Sequence, residues 1–107
     1  MKKWNDTVPK ITETTIRRQI RDFLVLNNWT VLYHLQGLGC FKGLSDLQAL
    51  KEGRSVFVEI KQQNGKQSDV QKEFQRLVET AGFEYVIARS IEDVLHMADI
   101  RSQIRMY

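Results

Sequence analysis

Cysteine occurs once in the 107 residues, at Cys40. A single thiol excludes an internal disulfide framework and a zinc site built from several thiolates. Histidine is almost as scarce, with only His34 and His96, which excludes a histidine-rich metal site. Proline is confined to Pro9. No run approaches the roughly 18 apolar residues of a membrane-spanning helix. The opening Met1-Lys2-Lys3-Trp4-Asn5-Asp6 is not followed by the apolar core of a secretory signal. These absences predict a cytoplasmic protein with no membrane partner and with Cys40 reduced. Repeats, low-complexity tracts and linker-like stretches are missing as well, and the length leaves room for a single stand-alone domain.

Hydrophobic residues make up 42% and charged residues 27%, which suits a folded chain with one core. The net charge of +3 permits a polyanionic partner without requiring one. Position says more than the sum. Arg17, Arg18 and Arg21 fall together in one segment, and Lys61, Lys66 and Lys72 around another. Each cluster is either a solvated face or a contact for phosphates.

Along the chain, residues 1–11 read as an N-terminal arm and 12–107 as one domain. Residues 12–27 carry Ile16, Ile20, Phe23 and Leu24 at helical spacing, and Asn27-Asn28 breaks the pattern. Residues 29–36 are rich in β-formers. Gly37, Gly39 and Gly43 mark a loop. Strands at 44–50 and 55–61 flank a hairpin turn at Lys51-Glu52-Gly53-Arg54. Ser68 opens a second helix with Val70, Phe74, Leu77, Val78 and Ala81 as its apolar stripe, and Gly82 stops it. Residues 83–88 form a fourth strand. Ser90, with Asp93 three residues on, caps a third helix to about Ile100. The order α-β-β-β-α-β-α predicts an α/β fold with a mixed central sheet flanked by helices.

A turn centred on Glu52-Gly53 sets the hairpin register and places Asp46 directly opposite Glu59. Opposed side chains in an antiparallel pair lie roughly 5 Å apart at Cβ. Alternation puts Phe57, Glu59 and Lys61 on one face and Val56, Val58 and Ile60 on the other. Two acids and a lysine are thus gathered opposite an apolar layer. Opposed carboxylates repel unless something neutralises them. Mg²⁺ does so with one or two carboxylates and several waters, and the Ile60 carbonyl could add a ligand. A bound cation polarises a phosphoryl oxygen and activates a water, and Lys61 could position that water and meet the charge building on the phosphate. The plain alternative is a surface salt bridge between Glu59 and Lys61, with Asp46 solvated.

Three stretches carry a resemblance: Gly43-Leu44-Ser45-Asp46-Leu47, then Val56-Phe57-Val58-Glu59-Ile60-Lys61, then Gly65-Lys66-Gln67-Ser68-Asp69-Val70-Gln71. Together they resemble the VRR-NUC domain, the virus-type replication-repair nucleases of the PD-(D/E)xK superfamily, over about residues 12–97. Ser45 stands where the superfamily name has proline. The resemblance implies a restriction-endonuclease-like core with Asp46 and Glu59 as metal ligands, Lys61 as the catalytic lysine and Mg²⁺ or Mn²⁺ as cofactor. It implies Gln71 at the site, although Ser68-x-x-Gln71 is also a capping box. It implies Glu13 at the site too, and Glu13 shares a helical face with Ile16 and Ile20; an exposed first-turn acid favouring the helix dipole is the alternative. Arg17, Arg18, Arg21, Lys66, Gln67 and Lys72 are the DNA-contact candidates. Small stand-alone members of the family act as dimers on branched DNA, including four-way junctions. A homodimer is therefore expected, through segments 29–43 and 99–107.

Two other readings stand beside this one: a nuclease of the same superfamily acting on flapped, nicked or single-stranded DNA, and a DNA-binding accessory module without catalysis. Gly37-x-Gly39 precedes a strand rather than a helix, so it is no dinucleotide fingerprint, and Gly65-Lys66 lacks the rest of a phosphate-binding loop. No small-molecule cofactor is expected.

Overall fold

A computed structural model describes residues 11–35 and 41–99. Helix α1 spans Glu13–Leu26. Thr12 caps it, its hydroxyl accepting from the Thr15 amide at 3.2 Å. Ile16, Ile20 and Leu24 are buried at four-residue spacing. Asn27 closes the helix and Asn28 follows in the left-handed region at φ 70°.

Strand β1 is Thr30–Tyr33, shorter than the stretch 29–36 expected from composition. Trp29 turns into the core instead, its indole donating to the Met97 carbonyl at 2.8 Å. Strands β2 (Leu47–Lys51) and β3 (Arg54–Ile60) form the hairpin. Glu52 and Gly53 both have positive φ, 48° and 80°, as a two-residue type I′ turn requires. The pairs Lys51↔Arg54 through Leu47↔Val58 follow the register expected from that turn. Pairing stops one residue before Asp46 because its carboxylate, at 2.8 Å, takes the Ile60 amide.

Helix α2 (Asp69–Thr80) carries the chain over to β4 (Glu84–Ala88), which lies parallel to β3. The sheet order is β1-β2-β3-β4, so the described residues form an α/β fold with a four-stranded mixed sheet. One face holds the main core: Leu47, Ala49, Val56, Val58, Ile60 and Ala88 against α1, Val94 and Met97. The other face carries α2, whose Phe74 ring lies 5.6 Å from Phe57 and 6.2 Å from Tyr85.

Two expectations are corrected. Of the α2 stripe, only Phe74 and Val78 are buried, while Val70, Leu77 and Ala81 are exposed. The helix rests on the β3–β4 half of the sheet and leaves the rest of its own apolar flank uncovered. The third helix is a 3₁₀ helix, Ile91–Met97, rather than an α-helix reaching Ile100, and Ser90 makes no side-chain cap. Its two buried residues, Val94 and Met97, are three apart, which matches a three-residue turn. Asp93 bonds back to the Arg89 amide at 2.8 Å.

A polar latch closes the far end. Asp99 is 5% exposed, pairs with Lys51 at 3.4 Å and accepts from the Asn28 side-chain Nδ2 at 2.5 Å, while its own N–H donates to Asn27 Oδ1 at 2.8 Å. It joins the end of α1, the hairpin and the segment after the 3₁₀ helix. No described helix is long and apolar enough to cross a membrane. Most of the expected arm, Gly37, Gly39, Cys40 and residues 100–107 lie outside the described residues.

Gly43 sits at φ +79° with the first turn of α2 against it, where a Cβ would fall 2.1 Å from the Val70 carbonyl oxygen. Gly53 has similar φ with nothing within 4 Å. Gly53→Ala should therefore cost only the left-handed backbone term, about 1–2 kcal/mol. Gly43→Ala should cost clearly more, because loop and helix must part; urea unfolding of the two variants checks the difference.

Candidate active site

A cleft of about 270 Å³ opens where the start of α1, the end of β3 and the start of α2 meet. Glu13, Asp46, Ile60, Lys61 and Gln71 line it, so it brings together residues that the sequence offered from four separate stretches. Glu59 lies behind this wall, fully buried. A larger concavity, about 730 Å³, lies at the hairpin turn, but its charged lining includes the latch pair Lys51 and Asp99.

Asp46 is held at both oxygens. Oδ2 accepts from the Ile60 amide at 2.8 Å and Oδ1 from Arg17 at 3.3 Å. Register brings Asp46 beside the end of β3, and the Ile60 bond fixes its orientation.

Glu59 is more unusual. Oε1 accepts a hydrogen bond from the Tyr85 hydroxyl, and Oε2 is buried with no hydrogen-bond partner. Lys61 Nζ stands 3.9 Å from Oε2, an ion pair but not a hydrogen bond. The salt bridge weighed from sequence is present, but it is buried: Lys61 is 14% exposed and Glu59 0%. Burial, and then the Glu59 bond, hold the Tyr85 hydroxyl well above the ordinary phenol range, so it stays a donor.

Lys61 Nζ donates to Gln71 Oε1 at 2.9 Å, and the same oxygen accepts the Ser68 amide at 2.9 Å. The Ser68 hydroxyl accepts from the Gln71 amide at 3.3 Å, completing the capping box. Gln71 thus caps α2 and holds Lys61 at once, with one oxygen. Glu13 is exposed in the first turn, where it favours the helix dipole, and it also forms part of the cleft wall. Of the two placements the sequence left open for Glu13, the exposed one is observed, at the cleft.

The DNA-contact candidates divide. Arg18, Lys66 and Lys72 are exposed. Arg17 is turned onto Asp46. Arg21 forks onto Asp22 at 2.8 and 3.0 Å and lies 6.0 Å from the Tyr33 ring centre. Gln67 is half-buried and donates to Gln75 at 2.9 Å. The three arginines are therefore not one open patch. Sequence reasoning missed Tyr85 and the Arg17 contact. Both depend on packing between distant segments; only the parallel register Phe57↔Tyr85 places the tyrosine on the face of Glu59.

The described residues contain no cluster of three or more His, Cys, Asp or Glu side chains placed to hold a metal. What the chain offers is two carboxylates, Asp46 and Glu59, and the main-chain oxygen of Ile60. This hard-oxygen set fits Mg²⁺ or Mn²⁺, which keep several waters, and Oε2 of Glu59, ion-paired with Lys61 at 3.9 Å, is an acceptor still without a hydrogen bond. No protein-family model matches the chain, and no curated protein matches it.

Tyr85→Phe should lower stability by about 1–3 kcal/mol at neutral pH, the cost of a buried acceptor left unsatisfied. The folded state holds the phenol proton more tightly than the unfolded chain does. The stabilisation from that shift is complete below the unfolded value near 10 and declines as pH rises toward the folded value. Denaturant titrations should show the gap between wild type and Tyr85→Phe narrowing only above about pH 10.

Proposed function

We propose that this chain is a metal-dependent endodeoxyribonuclease with a restriction-endonuclease-like core, of the VRR-NUC kind that its motifs resemble. The observation that carries the reading is the buried Glu59 Oε2, which has the Lys61 ion pair but no hydrogen bond, adjoining a cleft that Asp46 lines. A sheet that needed these groups only for stability would satisfy that oxygen. The element order, with its hairpin followed by a helical crossover, supports the core assignment.

Asp46, Glu59 and the Ile60 carbonyl would hold Mg²⁺ or Mn²⁺. Such a cation, when bound, supplies a Lewis acid for a phosphoryl oxygen and lowers the pKa of a water. Asp46 keeps its carboxylate plane through the Ile60 amide. Tyr85 fixes one oxygen of Glu59 and leaves the other turned toward Lys61. Gln71 holds the Lys61 ammonium on the cleft wall, where it meets negative charge developing on the scissile phosphate. Hydrolysis forms a bond from water oxygen to phosphorus and breaks the bond to the 3′ oxygen, which leaves with a proton, giving 5′-phosphate and 3′-hydroxyl ends. Glu13 stands at the cleft wall, within the site but exposed.

Arg18, Lys66 and Lys72 are exposed cations suited to the DNA backbone. Branched DNA, four-way junctions above all, is the substrate this reading favours, cut by a homodimer with one site per symmetry-related strand. β1 is an edge strand whose Leu32 and Tyr33 are exposed, and Leu35 just beyond it is 86% exposed; it belongs to one of the two segments put forward for the interface. One observation favours a second reading, a DNA-binding module without catalysis. Arg17 already offsets the charge of Asp46, which weakens the need for a cation there.

Asp46→Asn separates the two. The nuclease reading expects cleavage to fall by more than about 100-fold, beyond the loss typical when a metal ligand's hydrogen-bond partner is removed, with DNA affinity kept or improved. EDTA should have the same effect on the wild type. Intact cleavage by Asp46→Asn, measured on labelled DNA, would remove Asp46 from the site.

A further inference from the structure

We propose that Arg17 is an exchangeable counter-ion, resting on Asp46 until a divalent cation takes that carboxylate and then passing to a DNA phosphate. The inference rests on the metal-site reading above and adds a coupling between metal binding and DNA binding.

Three features point this way. Asp46 uses its two oxygens differently: Oδ2 is tied to the Ile60 amide at 2.8 Å, whereas Oδ1 meets a guanidinium at 3.3 Å. Oδ1 is thus the oxygen with the looser partner. The Arg17 contact is also the longest of the described arginine–carboxylate pairs; Arg21–Asp22, Arg54–Glu84 and Arg76–Glu73 close to 2.8, 2.7 and 2.5 Å. Finally, Arg17 is 32% exposed and lies one helical turn after Glu13, which lines the cleft. Its side chain is thus near the cleft and partly open to solvent.

The chemistry favours exchange. A divalent cation and a guanidinium cannot both sit close to one carboxylate oxygen without mutual repulsion. A partly exposed single-donor pair is weak, so displacement costs little. The released guanidinium presents a planar fork that matches a phosphate. A basic residue is thereby delivered to the DNA only at a site that holds its cation.

The test uses Mn²⁺ and DNA separately. Calorimetry without DNA should show Arg17→Gln binding Mn²⁺ about 2- to 5-fold more tightly than wild type, the worth of a weak pair; Arg17→Lys, which keeps the charge, should stay nearer wild type. In a Lys61→Ala background, which prevents cutting, four-way junction affinity is then followed against salt. With Mg²⁺ the log–log slope should be shallower by about 0.9 in Arg17→Gln, the amount due to one phosphate that the protein no longer neutralises. In EDTA the slopes should coincide. Equal Mn²⁺ affinity in wild type and Arg17→Gln overturns the exchange and leaves the metal site standing. Slopes that differ equally with and without Mg²⁺ also overturn it. Absence of Mn²⁺ binding to either protein overturns the exchange and the metal-site reading together.

Discussion

A carboxylate with no solvent exposure constrains the whole of this structure. Glu59 sits in the strand at the centre of the sheet's hydrogen-bonded ladder, and removing a charge from water is costly unless partners replace the water. The fold supplies them incompletely. Tyr85 donates to one oxygen from the neighbouring parallel strand, and Lys61 approaches the other from two residues along, without bonding it. An unmet acceptor at a buried position is more informative than any exposed charge, because surface carboxylates need no partner.

The surrounding elements are arranged around that group. Gln71 joins the N-terminus of α2 to Lys61 through one shared oxygen, so the helix cannot shift without moving the lysine. Gly43 lets the loop before β2 press against the same helix turn, and the loop leads directly to Asp46. On the opposite side of the sheet, α1 brings Arg17 and Glu13 to the cleft while its buried face anchors the core. The latch around Asp99 holds the far end of α1 to the hairpin and so keeps that helix in register with the sheet.

The legible part of this arrangement was local or periodic. Glu52-Gly53 defined the turn and the turn defined the register; extended by one residue it set Asp46 opposite Glu59, whereas the ladder ends at Leu47↔Val58 and Asp46 bonds the Ile60 amide instead. Ser68 and Gln71 announced the start of α2. The illegible part was long-range. Nothing in the segment 83–88 says that Tyr85 lies beside Phe57 and reaches Glu59; that follows from the parallel pairing alone. Nothing in the arginine cluster says that Arg17 turns to Asp46 while Arg21 turns to Asp22. Val70 and Leu77 read as core because helical periodicity cannot report how much of a sheet a helix covers. The 3₁₀ helix defeated the reading for a related reason, since spacings of three and four are nearly degenerate over two turns.

The central claim is that these groups hydrolyse phosphodiester bonds with a metal. The most direct measurement is cleavage of labelled four-way junction, flap, duplex and single-stranded DNA in Mg²⁺, Mn²⁺ or EDTA, with Lys61→Ala alongside. The metal-site account predicts cutting of the junction that needs the metal, leaves a 5′-phosphate and disappears in the variant. Failure to cut any of the four in either metal, with DNA binding intact, would contradict it.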